Sequence, residues 1–483
     1  MTFATPYLAP VYPEIFLLMA LSAILMLDLF IPEARRFLTY AYSQLALLVT
    51  AGLLVMGASG HALSTFGGMF IDDPMARTLK LVAIVAVSFA MAYSRTYNQS
   101  RGLFRGEFYV LLMFALLGIM VMISANHFLV LYLGLELLSL SMCALIALQR
   151  DSAASSEAAM KYFVLAALAS GLLLYGLSML YGATGSLFMP TVANAIASGA
   201  ADPAILVFGL VFVVAGLAFK LGVVPFHMWV PDVYEGSPTA VTLFVSTAPK
   251  VAAFAFFMRL LVGALGPMVS DWQSMLVIVA VLSMLVGNVT AIAQTNFKRM
   301  LAYSTISHMG FLLLGILSGS LGGYAAAMFY LVAYVLMSLA AFGLVLLLSR
   351  DGFEADQLDD LKGLNKRSPW YAFMMLLVMI SMAGIPVSVG FFAKLSVLSA
   401  VLDAGMTWLV VYAVMMSLIG AFYYLRVIKL MYMDEPADET PLVAETDHRV
   451  LIGLNALAIL VLGIVPQPLI DLCIASIGQS MRG

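Results

Sequence analysis

Residues 203–239 read PAILVFGLVFVVAGLAFKLGVVPFHMWVPDVYEGSPT. The first half is an apolar run of about 20 residues, the length that crosses a bilayer as a helix. It carries a lysine, Lys220, close to its end, and is then interrupted by Gly222 and Pro225. Proline lacks a backbone N–H and clashes with the preceding turn, so a helix does not run through it unbroken. In a membrane a broken helix is tolerated only where it is buried in protein or lines a water-filled cavity. This stretch therefore predicts a spanning helix, an interior break and a charge beside the break.

The rest of the chain supports an all-α polytopic membrane fold. Of 483 residues, 63% are hydrophobic and 10% charged, against about 25% charged in ordinary soluble domains. A net charge of −3 offers no basic surface for nucleic acid. Cys143 and Cys473 stand far apart, and two isolated cysteines make neither a disulfide framework nor a zinc or iron–sulfur site. The five histidines (His61, His127, His227, His308, His448) are dispersed, which argues against haem or metal ligation. No P-loop or dinucleotide glycine fingerprint is present. The first apolar run has no basic n-region before it and is long enough to span, so no cleavable signal peptide is expected.

Apolar segments recur between short polar breaks. They predict about fourteen spans: 14–32, 41–60, 76–94, 107–124, 127–149, 157–182, 203–222, 239–263, 273–293, 298–317, 322–349, 369–402 (broken), 407–432 and 449–470. No soluble domain is expected. Sixteen of the 23 basic residues fall on one side of this topology and four (Arg77, Lys80, Arg259, Arg482) on the other. The remaining three are Lys220, Lys250 and Lys394. The positive-inside rule then puts both termini on the outer side.

Residues 158–170, AAMKYFVLAALAS, match residues 326–338, AAMFYLVAYVLMS, at seven of thirteen positions. The offset of 168 residues carries the sixth span onto the eleventh. The second copy starts five helices later, an odd number, so it is inverted, giving two inverted five-helix repeats, helices 4–8 and 9–13, each with a broken helix. Inverted repeats are a transporter architecture with the working site near the midplane. The expected organisation is a three-helix segment over 1–106, a first repeat over 107–263, a second over 273–432, and a C-terminal loop and helix over 433–483. The second break is carried by Gly384, Pro386 and Gly390.

Four charges fall inside these spans: Glu136, Lys220, Lys250 and Lys394. Such a residue costs roughly 2.5–3.5 kcal/mol at a helix centre and usually marks an ion or proton path. Glu136 and Lys220 make a natural ion pair, each tuning the other's affinity for a proton. Buried lysines can release a proton, so Lys250 and Lys394 are candidate carriers. Lys161 reads equally as a snorkelling end-of-helix lysine. His308 reads either as a relay or as a hydrogen-bonded structural residue. His227, just past the first break, reads as a relay or inlet.

The stretch Lys220–Thr239, followed by Ser246-Thr-Ala-Pro-Lys250, resembles the signature of the antiporter-like membrane subunits of respiratory complex I. The stretches Ala159-Met-Lys161-Tyr-Phe and Ala302-Tyr-Ser304-Thr-Ile-Ser-His308-Met-Gly resemble that family's sixth and tenth helices. The chain stops soon after the fourteenth span and carries Lys394 on the twelfth, and both features resemble the bacterial N-type subunit rather than the L or M types. The resemblance implies a proton-translocating subunit of NADH:quinone oxidoreductase in the bacterial inner membrane. It implies Glu136 and Lys220 as a coupled pair, Lys250 as central relay and Lys394 as outward terminus, with His308, His227 and Lys161 less firmly assigned. It implies no cofactor in this chain, with NADH, FMN, iron–sulfur clusters and quinone in partner subunits, beside sister antiporter-like subunits. A Mrp-type Na+/H+ antiporter subunit, a membrane-bound hydrogenase subunit and a scaffold with vestigial charges remain alternatives.

Overall fold

A computed structural model describes residues 7–59, 61–350, 352–436 and 446–481. The first part of the chain forms α1 (Tyr12–Asp28), α2 (Phe37–Met56), α3 (Pro74–Ser100), α4 (Gly106–Ile123), α5 (Phe128–Ile146), α6 (Ala153–Thr184) and α7 (Met189–Ala197). There follow α8 (Pro203–Leu221), α9 (Trp229–Gly236), α10 (Thr239–Val245), α11 (Ala248–Phe257), α12 (Val269–Ile292), α13 (Phe297–Leu317) and α14 (Leu321–Leu348). The last are α15 (Leu364–Arg367), α16 (Pro369–Ala383), α17 (Val389–Asp403), α18 (Thr407–Met433), α19 (Thr446–Ile464) and α20 (Gln467–Ser480). Among the described residues a single hairpin, β1 (Leu63–Thr65) with β2 (Phe70–Asp72), lies before α3.

Local chemistry starts these helices where the sequence changes character. Asp73, Ser152, Asp202, Asn296 and Ser320 each accept a hydrogen bond from a first-turn backbone N–H. That satisfies donors a helix leaves open at its start. Pro74, Pro203 and Pro369 occupy first-turn positions, where a missing N–H is harmless.

Among the described residues, twelve helical runs are long and apolar enough to cross a membrane. Two of the about fourteen expected segments are not among the twelve: 369–402, which the sequence already marks as broken, and 449–470. Segment 369–402 is two short helices, α16 and α17, split by Gly384–Ser388. Segment 449–470 belongs to a pair, α19 and α20, bent by 83° at Val465–Pro466. The eighth span, expected unbroken over 239–263, is also interrupted: α10 stops at Ser246 and Thr247, and α11 begins again at Ala248.

The tightest crossings use glycine. A Cβ on Gly118 of α4 would lie 2.7 Å from the Leu138 nitrogen and 2.8 Å from the Gly134 oxygen of α5. A Cβ on Gly287 of α12 would lie 2.7 Å from the Ser307 nitrogen and 2.8 Å from the Tyr303 oxygen of α13. All three positions of the second contact follow those of the first by 169 residues, close to the offset of the sequence match. Lipid supplies no hydrophobic drive between helices, so small residues that let backbones approach set where they pack.

Hydrogen bonds sort the loops into two groups. At one end Arg36 reaches Phe104, Arg101 reaches Phe353, Lys298 reaches Ser237, Arg426 reaches Ile292 and Gln294, and the Gly363 amide reaches Leu430. At the other, Arg259 pairs with Asp73 and bonds to Ile123, Met75 bonds to Ser480, and Asn126 bonds to Gly68. The first group contains basic residues of the majority side. Of the four on the minority side, Arg77, Lys80 and Arg259 are in the described residues and Arg482 lies outside them.

Gly118→Val should destabilise the purified chain by at least the roughly 1–3 kcal/mol of an overpacked core, lowering its thermal midpoint in detergent. Gly182→Val, where a Cβ meets nothing within 4 Å, should leave the midpoint unchanged.

Candidate functional site

The three intramembrane lysines all lie beside helix breaks. Helix α8 ends when Gly222 turns left-handed (φ 81°), with its amide bonded to Ala218 and Phe219 and the Val223 amide bonded to Ala218. Helix α16 ends the same way at Gly384 (φ 82°), bonded to Ile380 and Ser381, with the Ile385 amide on Ile380. This termination satisfies two carbonyls and leaves the last ones open. In α8 the open carbonyl of Leu221 accepts from Lys250 Nζ at 2.8 Å. In α16 the carbonyls of Ala383 and Met382 accept from Lys394 Nζ at 2.8 and 3.3 Å.

Each lysine is thus an ammonium seated on the negative end of a half-helix inside the protein. A cation there is favoured both by the helix dipole and by charge-assisted hydrogen bonding. Lys250 is 1% and Lys394 8% exposed. Lys250 also lies over the Trp229 ring and Lys394 over the Phe311 ring, at 5.2 and 5.1 Å. Lys394 makes a third bond to Ser417 on α18 at 2.9 Å.

Lys220 points elsewhere. Its Nζ donates to Ser139 Oγ on α5 at 2.6 Å. Glu136, one turn before Ser139, accepts from Ser170 on α6 at 2.6 Å. The expected contact ion pair between Glu136 and Lys220 is therefore not formed directly. The lysine reaches the helix one turn past the carboxylate, and Ser139 fills the place of the direct partner. A small cavity lined by Lys220, Tyr162, Trp229, Pro249 and Ala253 joins the Lys220 site to the base of α11. About 20 Å³ of it is open to the centre of a water-sized sphere, enough for one water.

His308 is 3% exposed and held at both ring nitrogens: Nδ1 by the Tyr330 hydroxyl at 2.7 Å and Nε2 by the Tyr424 hydroxyl at 3.0 Å. His227 is half-buried in the segment between α8 and α9, and its buried Nδ1 has no hydrogen-bond partner. Lys161 is exposed at the basic end. It bridges Glu157 at 2.8 Å and Asp232 at 2.7 Å, and Asp232 also pairs with Arg299 at 2.9 Å. Arg299 in turn holds Glu235 at 2.7 Å. These residues line an open vestibule of about 400 Å³ together with Asp356.

Two buried lysines are absent from the four charges singled out in the sequence. Lys80 is fully buried and paired with Glu14 at 2.5 Å. Each lies within a turn or two of the start of its apolar segment, so each reads singly as an end-of-helix charge, and only the opposite signs hint at a pair. Lys298 reads as a loop residue beside Arg299. Its side chain nevertheless turns inward, 3% exposed, to the Ser237 carbonyl at 3.0 Å.

These features, broken helices crossing the protein with lysines on their ends, define a class of ion-translocating membrane subunits. The profile of the family described as "NADH:quinone oxidoreductase/Mrp antiporter, TM" matches residues 125–420, more than half of the chain. A protein named NADH-quinone oxidoreductase subunit N from Nitrosomonas europaea is 59% identical over 485 residues, covering 100% of both chains. The protein of that name from Thiobacillus denitrificans is 60% identical over 472 residues, covering 98% of each. Among solved structures, a chain of respiratory complex I from Thermus thermophilus with bound aureothin superposes with a TM-score of 0.83. It is 30% identical and covers 96% of this chain and 100% of that one. A chain of the Mrp complex from Dietzia sp. shares the fold at a TM-score of 0.82 and 20% identity, over 97% of this chain and 96% of that one. The chain belongs to the NADH:quinone oxidoreductase/Mrp antiporter family, and within it to the subunit N family of NADH-quinone oxidoreductase.

Partial burial raises the affinity of the Asp232 carboxyl for a proton, but the hydrogen bonds from Lys161 and Arg299 outweigh it and hold the group below the usual 3.8. A depressed carboxyl contributes stability that is present above the unfolded value and lost as pH falls through the folded one. The carboxylate band of Asp232 should therefore persist below pH 3.8 in infrared titration, and Lys161→Ala should shift its loss to higher pH. Separately, Gly384→Ala should lower the thermal midpoint. A left-handed L-residue costs roughly 1–2 kcal/mol, and the added Cβ would lie 2.8 Å from Lys394 Cδ.

Proposed function

We propose that this chain is the proton-translocating N subunit of the membrane arm of an NADH:quinone oxidoreductase, carrying protons through a buried relay while redox chemistry proceeds in partner subunits. Family membership supports the subunit. The observation that supports the relay is the pair of ammonium groups, Lys250 and Lys394, each seated on the end of a broken helix in the interior. The chain itself acts without redox chemistry in this reading. FMN, iron–sulfur clusters and the sites for NADH and quinone are assigned to partner subunits.

The positive-inside rule sets the basic end on the cytoplasmic side of the inner membrane and both termini on the outer side. A proton enters from the basic end, through the vestibule of Asp232, Glu235 and Arg299 and past the segment carrying His227. It reaches Lys220, whose bond to Ser139 couples it to the turn that carries Glu136. A change in the field of Glu136 alters how firmly Lys220 holds its proton. The cavity between Lys220 and Pro249 gives one water's length of passage toward Lys250. From there the proton moves by way of His308 to Lys394 and leaves outward. The recurrence of helix contacts at an offset of 169 residues supports two inverted repeats whose breaks hold the two end-capping lysines.

Glu136 also supports a neighbouring membrane subunit. It is half-buried, in one stripe of α5 with Leu129, Leu133 and Leu140, which are 53%, 65% and 58% exposed. A carboxylate on such a stripe is costly against lipid, and a sister subunit docked there would shield it.

Glu136→Ala and Lys220→Ala should each lower the protons pumped per NADH oxidised when the assembled complex is reconstituted in vesicles. Pumping at the wild-type ratio with intact assembly would remove both residues from the relay.

A further inference from the structure

The relay as described leaves a gap between Lys250, on the first half of the fold, and Lys394, on the second. Hydroxyl groups gather around His308 on the second half, where α13, α14 and α18 meet. Neutral imidazole has one donor and one acceptor nitrogen. With hydroxyls on both, one tyrosine must donate to the ring and the other accept from it. The chain of bonds continues beyond the ring: Tyr424 OH lies 2.5 Å from Ser304 Oγ. On the other side Tyr330 stacks on Phe311, and the Phe311 ring lies beneath Lys394 Nζ. A second branch points back to the first half. Thr305 Oγ1 lies 2.8 Å from Tyr334 OH, whose ring lies 5.5 Å from His308. Helix α9 packs against α13 and carries the buried Tyr234, whose hydroxyl has no hydrogen-bond partner of its own. All of these tyrosines are 2% exposed or less.

We propose that Tyr424 and Tyr330 are proton-relay residues, and that Ser304, Tyr424, His308 and Tyr330 form a side-chain wire which passes protons toward Lys394. The proposal rests on the proton-translocating reading above. In the conducting state Tyr424 donates to His308 Nε2 and His308 Nδ1–H donates to Tyr330. A proton arriving at Ser304 Oγ sends that residue's own hydroxyl proton to Tyr424. The Tyr424 proton then moves to Nε2, the Nδ1 proton moves to Tyr330, and the original Tyr330 hydroxyl proton leaves toward Lys394. One proton enters and one leaves, every O–H or N–H bond broken is replaced, and no residue ends charged. Rotation of the hydroxyls, with a swing of the imidazole that carries its N–H to the Tyr330 side and its bare nitrogen to the Tyr424 side, resets the wire without moving a proton back. The tyrosines lie on α14 and α18 and the histidine on α13, so a small relative shift of these helices would open or close the path.

Tyrosine to phenylalanine removes one oxygen and keeps the ring, so it tests the wire with little change in packing. The whole complex carrying Tyr330→Phe, Tyr424→Phe, Lys250→Ala or Tyr93→Phe would be reconstituted in vesicles. Protons translocated per NADH oxidised would be read in H2O and D2O. Tyr93, whose buried hydroxyl bonds to the Leu451 carbonyl, controls for the loss of a buried hydroxyl away from the wire. The ratio is taken per turnover, so a lower yield of complex does not affect it. Tyr330→Phe and Tyr424→Phe should fall to the level of Lys250→Ala with an altered solvent isotope effect, while Tyr93→Phe matches wild type. Wild-type ratios and isotope effects in both wire variants, with Lys250→Ala impaired, would overturn the wire alone. A wild-type ratio in Lys250→Ala would overturn the relay beneath it.

Discussion

Inside a membrane every backbone carbonyl must find a donor, and a helix that stops halfway across leaves several without one. The fold stops two helices in this way, α8 at Gly222 and α16 at Gly384, and supplies a lysine to the open end of each. The ammonium needs the carbonyls as much as they need it, because an unpaired charge in that setting is costly. The break and the charge are therefore two halves of one structural unit. Neither Lys250 nor Lys394 is tolerable in a continuous helix facing lipid, and neither half-helix is tolerable without a donor at its end.

Function would grow from that mutual dependence. A lysine that gives up its proton also gives up much of its attraction for the helix end, so charge movement and the seating of α8 and α16 are linked. Lys220 differs, with a serine rather than a helix end as its partner and a carboxylate one turn away. That arrangement is looser and suits a group whose surroundings are altered by a neighbour. The protein thus places an adjustable lysine near the half-exposed Glu136 and two firmly seated lysines deeper along the path.

What the sequence made legible follows from how local each signal is. The breaks at Pro225 and Pro386 and the three lysines are visible because proline chemistry and charge in an apolar run act within a few residues. The interruption at Ser246–Thr247 was hidden because residues 239–263 still read as one segment of spanning length, and neither serine nor threonine breaks a helix as proline does. Pro249, at the first turn of α11, sits where a helix accepts it. The serine that intervenes between Lys220 and Glu136 could not be read, since which turn of α5 meets Lys220 depends on how two helices are set against each other. Lys80 with Glu14, and Lys298, were missed for a related reason: near the end of a segment, a charge that turns inward looks the same as one that turns out.

The tyrosines around His308 were equally silent in the sequence, where aromatic residues in spanning helices read as packing. Their meaning appears only when α13, α14 and α18 bring their hydroxyls to the two sides of one imidazole. The central claim, that the lysines on the helix ends carry protons and do not merely hold the breaks together, can be separated from a structural role by arginine. Arginine keeps the positive charge and the donors to the helix end but does not release its proton. Protons pumped per NADH oxidised should be measured in vesicles bearing the assembled complex with Lys250→Arg or Lys394→Arg. The account predicts that both variants assemble and that both pump fewer protons than wild type. Pumping at the wild-type ratio by both would contradict it.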